Sequence, residues 1–218
     1  MSRDSLGPLA RGGKAAAARL KRREMRAAMP DVRLEARHVA GSALLPDREA
    51  LLAVLPRGGD GAECGVAAGA FSRQIVDIAA PRRLHLIDAW QAARYESERA
   101  KVEKRMAAEI ADGTVTLHQG LSTEVMATFE DASLDWIYID TDHSYATTAA
   151  ELREADRLLR PDGLVLGHDF CVGNIVKPTV YGVIQAVNAF CVEAGWRYAY
   201  QTLETHGHFS FCLRRLAD

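Results

Sequence analysis

The sequence reads GAECGVAAGAFSRQIVDIAA over residues 61–80, which is the pattern of a strand, a tight turn and a helix. The run 61–66 predicts a short buried strand, and the amphipathic run 71–80 predicts a helix that ends before a proline. Gly65 and Gly69 lie in the turn, where glycine lets the backbone approach a ligand closely. A helix N-terminus also offers free N–H groups to such a ligand. A dinucleotide fingerprint would have glycine where Ala67 stands, which argues against a pyrophosphate pressed onto this turn.

Strand and helix patterns alternate along the rest of the chain, and this alternation predicts a parallel sheet covered on both faces. Helices are predicted at 46–55, 95–110, 122–129, 147–159 and around 183–194, and further strands at 84–88, 114–120, 134–140 and 164–169. The runs 196–203 and 208–215 predict a final antiparallel hairpin. We therefore expect an α/β, Rossmann-like, doubly wound sheet of seven strands, mostly parallel and closed by the hairpin.

Composition and charge divide the chain into an arm over 1–43 and a main domain over 44–218. Residues 1–37 hold ten basic and four acidic side chains, whereas the whole chain has a formal net charge of −2. The arm is expected to be partly helical or flexible. It could bind a polyanion, cover its own domain, pack on a second subunit in a homodimer or higher oligomer, or be a solvated Ala/Arg-rich helix.

Bulk properties predict a cytoplasmic protein with no membrane partner and no nucleic-acid partner. Hydrophobic residues make up 48% and charged residues 26%, which is ordinary for a globular domain. The four cysteines are scattered without zinc spacing, as in reduced intracellular proteins. No apolar run approaches the roughly 18 residues that a membrane span requires.

Two polar positions after predicted strands suit a nucleoside ligand. Asp88 ends the second predicted strand, 25 residues beyond Glu63, and its carboxylate can accept hydrogen bonds from both hydroxyls of a ribose. The alternative is that Asp88 caps a helix. The segment Gly120–Leu121–Ser122 follows the third predicted strand, where an adenine edge would lie, although Ser122 is also a plausible N-cap.

A denser polar group follows the fourth and fifth predicted strands. The segment 140–145 reads DTDHSY, and His168–Asp169 follows the neighbouring strand. Because the carboxyl ends of parallel strands share one edge, Asp140, His168 and Asp169 could converge as ligands of a divalent ion. The alternative is that both aspartates only bind the cofactor or the loop backbone.

These blocks resemble class I S-adenosylmethionine-dependent methyltransferases over roughly residues 46–214. The quoted motifs are ECGVAAGAFSR, LHLIDAW, DWIYIDTDHSY, LLRPDGLVLGHDF and YGVIQAV. They are most similar to a small bacterial group whose fourth strand ends in D-x-D-H-S-Y, and to macrocin-type O-methyltransferases. The resemblance implies S-adenosylmethionine as the cofactor, and it leaves the methyl acceptor open.

The resemblance also implies a role for each motif residue. Those implied to bind the cofactor are Glu63, Gly65, Gly69, Ser72, Asp88, Trp90, Gly120, Leu121, Ser122 and Asp140. Asp140 and Asp169 match acids that carry a divalent cation such as Mg²⁺ in the macrocin-type group, whereas His168 stands where that group has an acid. Asp142 matches the position proposed there as general base, with His143 as its rival.

The function expected from the sequence is therefore O-methylation of a small-molecule or sugar hydroxyl in natural-product chemistry, with a metal ion assisting. Alternatives are N-methylation of a small molecule and a non-catalytic nucleoside-binding protein of the same fold. The polar group at 140–145 argues against the binding protein, because binding alone needs no candidate base. A nicotinamide dehydrogenase is disfavoured by Ala67.

Overall fold

The computed structural model describes residues 8–91, 93–174 and 179–217, which form a layered α/β fold. The helices are α1 (Pro8–Ala27), α2 (Arg48–Ala53), α3 (Ala70–Ala79), α4 (Ala93–Arg105), α5 (Ala107–Ala111), α6 (Ser122–Met126), α7 (Tyr145–Leu158) and α8 (Val183–Ala194). The strands are β1 (Ala43–Leu45), β2 (Asp60–Cys64), β3 (Arg83–Asp88), β4 (Val115–Gln119), β5 (Leu134–Ile139), β6 (Leu159–Gly167), β7 (Trp196–Thr202) and β8 (Phe211–Arg215).

The strands form one mostly parallel sheet in the order β1-β7-β8-β6-β5-β2-β3-β4. Strand β8 runs antiparallel between β6 and β7, whereas the other pairs are parallel. After β1, the chain enters the middle of the sheet at β2, moves outward through β3 and β4, and then returns to the other side of β2 with β5. This reversal creates the crevice in which doubly wound sheets bind ligands. The Rossmann-like fold predicted from the sequence is confirmed.

The predicted strand count of seven is wrong, because the described residues form eight strands. The additional strand is β1, which pairs in parallel with β7 at the sheet edge. It has three residues, and Ala43 and Leu44 are exposed. A strand that short, with little burial, carries no readable alternation of apolar and polar residues, so only its tertiary pairing reveals it.

Helices cover both faces of the sheet and divide the core into two clusters. One cluster packs apolar residues of α6, α7 and α8 against strand residues such as Ile137 and Ile139. The other packs α2, α3 and α4 against the alternate strand positions, including Trp136 and Tyr138. This period of two along β5 fixes the register of the strand, since a slip of one residue would exchange the two faces.

Two predicted elements differ most from the structure, whereas the others differ by three residues or fewer at either end. The helix expected over 95–110 is broken at Met106, whose backbone (φ −109°, ψ 21°) separates α4 from α5. Strand β6 begins at Leu159, five residues earlier than predicted, because Leu159 pairs with Leu134 before a register shift in the ladder. Neither change affects the carboxyl ends of the strands, where the polar candidate residues lie.

The N-terminal segment consists of a solvent-facing helix and a packed connection. The described side chains of α1 are mostly exposed, and none of them is buried. The connection carries a 3₁₀ turn, Ala36–His38, whose His38 is fully buried, and Leu34 packs on the core. No helix within the described ranges combines the length and apolarity that a bilayer span needs. The boundary between arm and domain at residue 43 stays a prediction.

We expect truncation at two points to separate these parts. A protein beginning at Met29 loses α1 and should unfold at the same urea concentration as the full chain, since α1 buries no described side chain. A protein beginning at Pro46 also loses β1, His38 and Leu34. Its free energy of unfolding should fall by roughly 2 kcal/mol, the scale of one or two buried side chains. Equal urea midpoints for the two truncated proteins would show that residues 30–45 add no stability.

Candidate functional site

The turn after β2 lies against the end of β5 without room for a side chain. Gly65 has φ +91°, and a Cβ atom there would lie 1.9 Å from the carbonyl oxygen of Asp140. The N–H of Asp140 donates to the carbonyl of Cys64 at 2.8 Å, which fixes the two backbones to each other. Glycine is therefore required at position 65, both for its left-handed backbone and for this close approach.

A cavity of about 680 Å³ opens at the carboxyl ends of β2, β3, β4 and β5. Its lining residues come from the ends of these strands and from the loops and first helical turns that follow them, as the doubly wound fold predicts. They are Gly65, Ala67, Ile87, Asp88, Ala89, Gly120, Leu121, Ser122, Thr123, Asp140, Thr141, Asp142, His143 and Thr147. A volume of this size is typical of small-molecule and cofactor sites.

Asp88 accepts three backbone hydrogen bonds, two of which connect the end of β3 to the glycine turn. Its Oδ2 accepts from the N–H groups of Val66 and Ala67 at 2.9 and 2.8 Å, and its Oδ1 accepts from Trp90 at 2.9 Å. A carboxylate has about four lone-pair sites, so one acceptor position remains for a ligand. Asp88 thus shapes the turn and also faces the cavity.

Four of the residues predicted to bind the cofactor lie behind the turn and do not line the cavity. Trp90 is 2% exposed and donates its ring N–H to the carbonyl of Ala67 at 3.0 Å. Gly69 packs against Val102. Glu63 and Ser72 are buried beneath the turn, where the hydroxyl of Ser72 donates to Glu63. Burial raises the pKa of Glu63 to about 8, although the Ser72 hydrogen bond opposes this shift.

Glu151, which the sequence analysis did not identify, lies beneath the opposite wall of the cavity. It is fully buried on α7, and it accepts hydrogen bonds from the hydroxyls of Ser122 and Thr141. Both hydroxyls belong to residues that line the cavity, so Glu151 fixes their orientation. Burial raises its pKa to about 7 against these two hydrogen bonds. Its position in the middle of an amphipathic helix gave no signal in the sequence.

An acid–histidine–acid cluster forms the edge of the cavity where β5 and β6 end. His143 Nε2 lies 3.1 Å from Asp140 Oδ1 and 2.8 Å from Asp169 Oδ2. Burial alone would lower the pKa of His143, but its hydrogen bonds to the two carboxylates outweigh burial and raise it to about 9. His143 also has φ +62°, and its ring packs on Tyr181 at 4.6 Å between centroids.

The predicted metal ligands Asp140 and Asp169 do converge, and His168 lies close to both. His168 Nδ1 is 3.7 Å from Asp140 Oδ2 and 3.8 Å from Asp169 Oδ1. Its Nε2 is buried without a hydrogen-bond partner among the described residues, and burial lowers the pKa of the ring. The tighter set of possible ligand atoms comprises Asp140, His143 and Asp169, which lie within 4.8 Å of one another.

Asp142, the other candidate base, is exposed and is engaged in the turn that starts α7. Its Oδ1 accepts from the N–H of Ser144 at 2.9 Å, and its Oδ2 accepts from the hydroxyl of Thr147 at 2.9 Å. Ser144 itself caps α7 by accepting from the N–H of Thr147. Asp142 lines the cavity, but both of its oxygens already have local partners.

A second group missed by sequence reasoning lies on the far side of Asp169. His208, in the turn between β7 and β8, contacts Asp169 Oδ1 through its Nδ1, and Cys171 Sγ lies 3.8 Å from the same nitrogen. His206, in the same turn, has its ring centroid 5.9 Å from that of His208. The two histidines of the sequence His206-Gly207-His208 could have indicated a polar site. They do so only once β8 is known to pair with β6, which brings this turn next to Asp169.

The chain matches a protein-family model described as a methyltransferase domain over residues 62–170, which is half of its length. A search of curated proteins finds no significant match.

Solved structures share the fold at low identity. The chain superposes on an rRNA methylase of Streptococcus thermophilus with a TM-score of 0.56 at 11% identity, covering 78% of this chain and 95% of that one. It superposes on SMU.1697c of Streptococcus mutans, solved in complex with SAH, with a TM-score of 0.56 at 13% identity, covering 78% of this chain and 96% of that one. For the pyocyanin biosynthetic protein PhzM the TM-score is 0.57 at 12% identity, covering 77% of this chain and 53% of that one. These likenesses are to the fold.

Glu63 should make the stability of the protein depend on pH. Its pKa of about 8 in the folded protein exceeds the ordinary glutamate value of 4.5, so the folded state retains a proton that the unfolded chain releases. Stability should therefore fall as pH rises from about 5 to 8, by about 1.4 kcal/mol for each unit by which the pKa is raised.

Urea unfolding of the Glu63→Gln variant should show a smaller fall in stability over this pH range. The matched control Glu124→Gln changes an exposed acid on α6 and should keep the full dependence. Equal slopes for all three proteins would contradict the buried neutral state of Glu63.

Proposed function

The chain belongs to a family of class I methyltransferases, and from this premise we propose that it transfers a methyl group from S-adenosylmethionine to a hydroxyl of a small molecule. The observation that carries this proposal is the cluster of Asp140, His143 and Asp169 at the edge of the cavity. A potential base with two orienting carboxylates is placed where an acceptor would meet the cofactor. A binding module would need no such group.

The cavity offers partners for each part of the cofactor. The remaining acceptor position on Asp88 suits a ribose hydroxyl, since hydrogen bonds to a carboxylate are roughly twice as strong as neutral ones. The segment 120–123 lines the wall beyond β4, where the adenine would lie. The open backbone at Gly65 and Ala67 leaves room for the amino-acid part. Glu63, Ser72, Gly69 and Trp90 would then act by shaping the turn, without touching the ligand.

Methyl transfer is a displacement in which the bond between sulfur and methyl breaks as the bond between oxygen and methyl forms. Holding acceptor and cofactor in line can supply roughly 7–11 kcal/mol of the barrier. A hydroxyl acceptor must also lose its proton, and a positioned base contributes about 10²–10⁴-fold. The products are the methyl ether and S-adenosylhomocysteine, with the proton on the base.

Of the two candidate bases, His143 is the better placed. Asp142 has both oxygens engaged by Ser144 and Thr147 in the turn before α7. His143 lies between Asp140 and Asp169, and carboxylates in contact with an imidazole orient the ring and stabilise the cation that forms when it accepts a proton. We therefore assign the proton to His143, and we assign the orientation of His143 to the two aspartates. Because its pKa is raised to about 9, His143 acts as a base in its neutral form, and turnover should rise with pH towards about 9.

A divalent cation also fits this edge, as the sequence resemblance implies. Two carboxylates and one imidazole, with ligand atoms within 4.8 Å of one another, form a donor set that such ions accept. Asp140 and Asp169 would hold the ion together with one imidazole. His168, whose Nδ1 lies 3.7 Å from Asp140 Oδ2 and 3.8 Å from Asp169 Oδ1, can supply that imidazole and leave His143 to accept the proton. A bound ion would polarise the acceptor oxygen and lower the pKa of its hydroxyl.

The charge of the edge favours a small molecule over RNA as the acceptor. Asp140, Asp142 and Asp169 stand together at the acceptor side, and carboxylates repel a phosphate backbone. The observation that favours RNA is the basic helix α1, together with fold relatives that are described as RNA methylases. An RNA acceptor is therefore the second candidate, and an amine of a small molecule is the third.

The cofactor assignment predicts that Asp88→Asn weakens binding of S-adenosylhomocysteine at least tenfold by isothermal calorimetry. The change removes the charge that a ribose hydroxyl would meet, and tenfold corresponds to about 1.4 kcal/mol. Asp162→Asn is the control, because Asp162 is an exposed acid near the start of β6, at the opposite end of the sheet from the cavity. Unchanged affinity in Asp88→Asn would remove Asp88 from the site.

The acceptor assignment predicts O-methylated products when the protein is given S-adenosylmethionine and a panel of sugars, phenols, amines and a short RNA duplex. With the acceptor that reacts, His143→Gln should lower kcat at least a hundredfold at unchanged S-adenosylhomocysteine affinity, because a positioned base is lost. Asp142→Asn, the matched change one residue away, should lower kcat far less.

Three results would contradict parts of this assignment. Methyl transfer to the amine or to the RNA would overturn the hydroxyl of a small molecule as acceptor. Equal loss of kcat in Asp142→Asn and His143→Gln would overturn the choice of base. Turnover that survives exhaustive chelation would show that the reaction needs no divalent cation, and it would leave the assignment of His143 as the base unchanged.

A further inference from the structure

The loops after β6 and before β8 bring three metal-binding side chains to one point. Strands β6 and β8 are antiparallel neighbours, with Gly167 opposite Phe211. The residues that follow β6 therefore lie beside the residues that precede β8. The N–H of Phe170 donates to the carbonyl of Phe209 at 2.9 Å, which holds the two segments together. We propose that Asp169, Cys171 and His208 form a binding site for one transition-metal ion of the zinc class.

The positions of the ligand atoms fit one ion. The carboxylate oxygen, the thiol sulfur and the imidazole nitrogen lie within 4.8 Å of one another. Sulfur and nitrogen ligands at roughly 2.3 and 2.1 Å from a tetrahedral ion stand about 3.6 Å apart. The Sγ of Cys171 lies 3.8 Å from Nδ1 of His208, so these two atoms need little movement to bind one metal ion. Oδ1 of Asp169 and Nδ1 of His208 are in direct hydrogen-bond contact, and they must move apart to admit the ion.

The donor chemistry selects the class of ion. Thiolate and imidazole are ligands of zinc and of related transition metals, whereas magnesium and calcium take oxygen ligands. The set at Asp140, His143 and Asp169 carries more oxygen and no sulfur. The two sets share only Asp169, and they meet it on opposite oxygens, since His143 contacts Oδ2 and His208 contacts Oδ1.

Access and coordination are those of a site that can exchange its ion. Cys171 is partly exposed, and the His208 side chain is 21% exposed, so an ion can enter from solvent. Three protein ligands leave a fourth position for water or a ligand, as in catalytic zinc sites. An ion on Oδ1 of Asp169 would leave Oδ2 on His143 and so hold that ring in place. The metal site does not depend on the proposed function, because ion binding is measured without turnover.

The test uses the full-length protein, stripped of metal and titrated with Co²⁺ as a coloured substitute for zinc. We expect an intense near-ultraviolet absorption from thiolate bound to Co²⁺, which Zn²⁺ displaces and millimolar Mg²⁺ does not. Cys171→Ser should abolish this absorption, and His208→Asn should weaken Co²⁺ binding at least tenfold. His206→Asn is the matched control, because His206 lies in the same turn but outside the ligand set, and it should behave as the unmodified protein.

A second measurement needs no variant and therefore does not depend on how variants fold. Zn²⁺ should slow the alkylation of Cys171 by iodoacetamide at least tenfold in the unmodified protein, as located by mass spectrometry. The absence of thiolate absorption, its persistence in Cys171→Ser, displacement of Co²⁺ by Mg²⁺, or alkylation of Cys171 at the same rate with and without Zn²⁺ would each overturn the proposal.

Discussion

The close approach of Gly65 to the backbone of Asp140 is the constraint on which the site depends. It brings the turn after β2 against the end of β5, at the reversal of strand order where the cavity opens. Hydrogen bonds continue the sheet ladder one residue beyond the strands, so the loops leave the sheet in fixed register. The N–H groups of Gly65, Gly120, Asp140 and His168 donate to the carbonyls of Ile87, Asp88, Cys64 and Ile139. Side chains that follow these residues therefore start from rigid backbone, which is what precise positioning of reacting groups requires.

The same edge must accommodate several acids, and the fold stabilises each in a different way. Asp88 takes its hydrogen bonds from the backbone of the glycine turn. Asp140 and Asp169 share the imidazole of His143, which contributes to holding the pKa of Asp169 at about 2 despite burial. Glu63 and Glu151 lie deeper, where burial raises their pKa values and favours the neutral form. Negative charge is thus concentrated where an acceptor would react and reduced beneath the cavity walls.

Much of the cavity lining could be predicted from the sequence because its residues follow single strands. Gly65, Asp88, Ser122 and Asp140 each lie at or just beyond the end of a predicted strand, and the rule that ligands bind at strand ends predicts that they lie together. The structure brings these residues to one cavity. The pattern could not distinguish a residue that lines the cavity from one behind the turn, such as Trp90. Strand β1 could not be predicted either, because its three mostly exposed residues show no alternation of apolar and polar side chains.

The surroundings of His143 and Asp169 could be predicted only in part, because some of their neighbours come from segments distant in sequence. Cys171 and His208 are 37 residues apart and meet only because β8 inserts antiparallel between β6 and β7. Tyr181 reaches His143 from the segment before α8. The family match ends at residue 170, so these three side chains lie beyond the part of the chain that the family model describes. The turn residues that follow β2 and β3 are therefore local in sequence, whereas the side chains around Asp169 meet only through the packing of the closing hairpin.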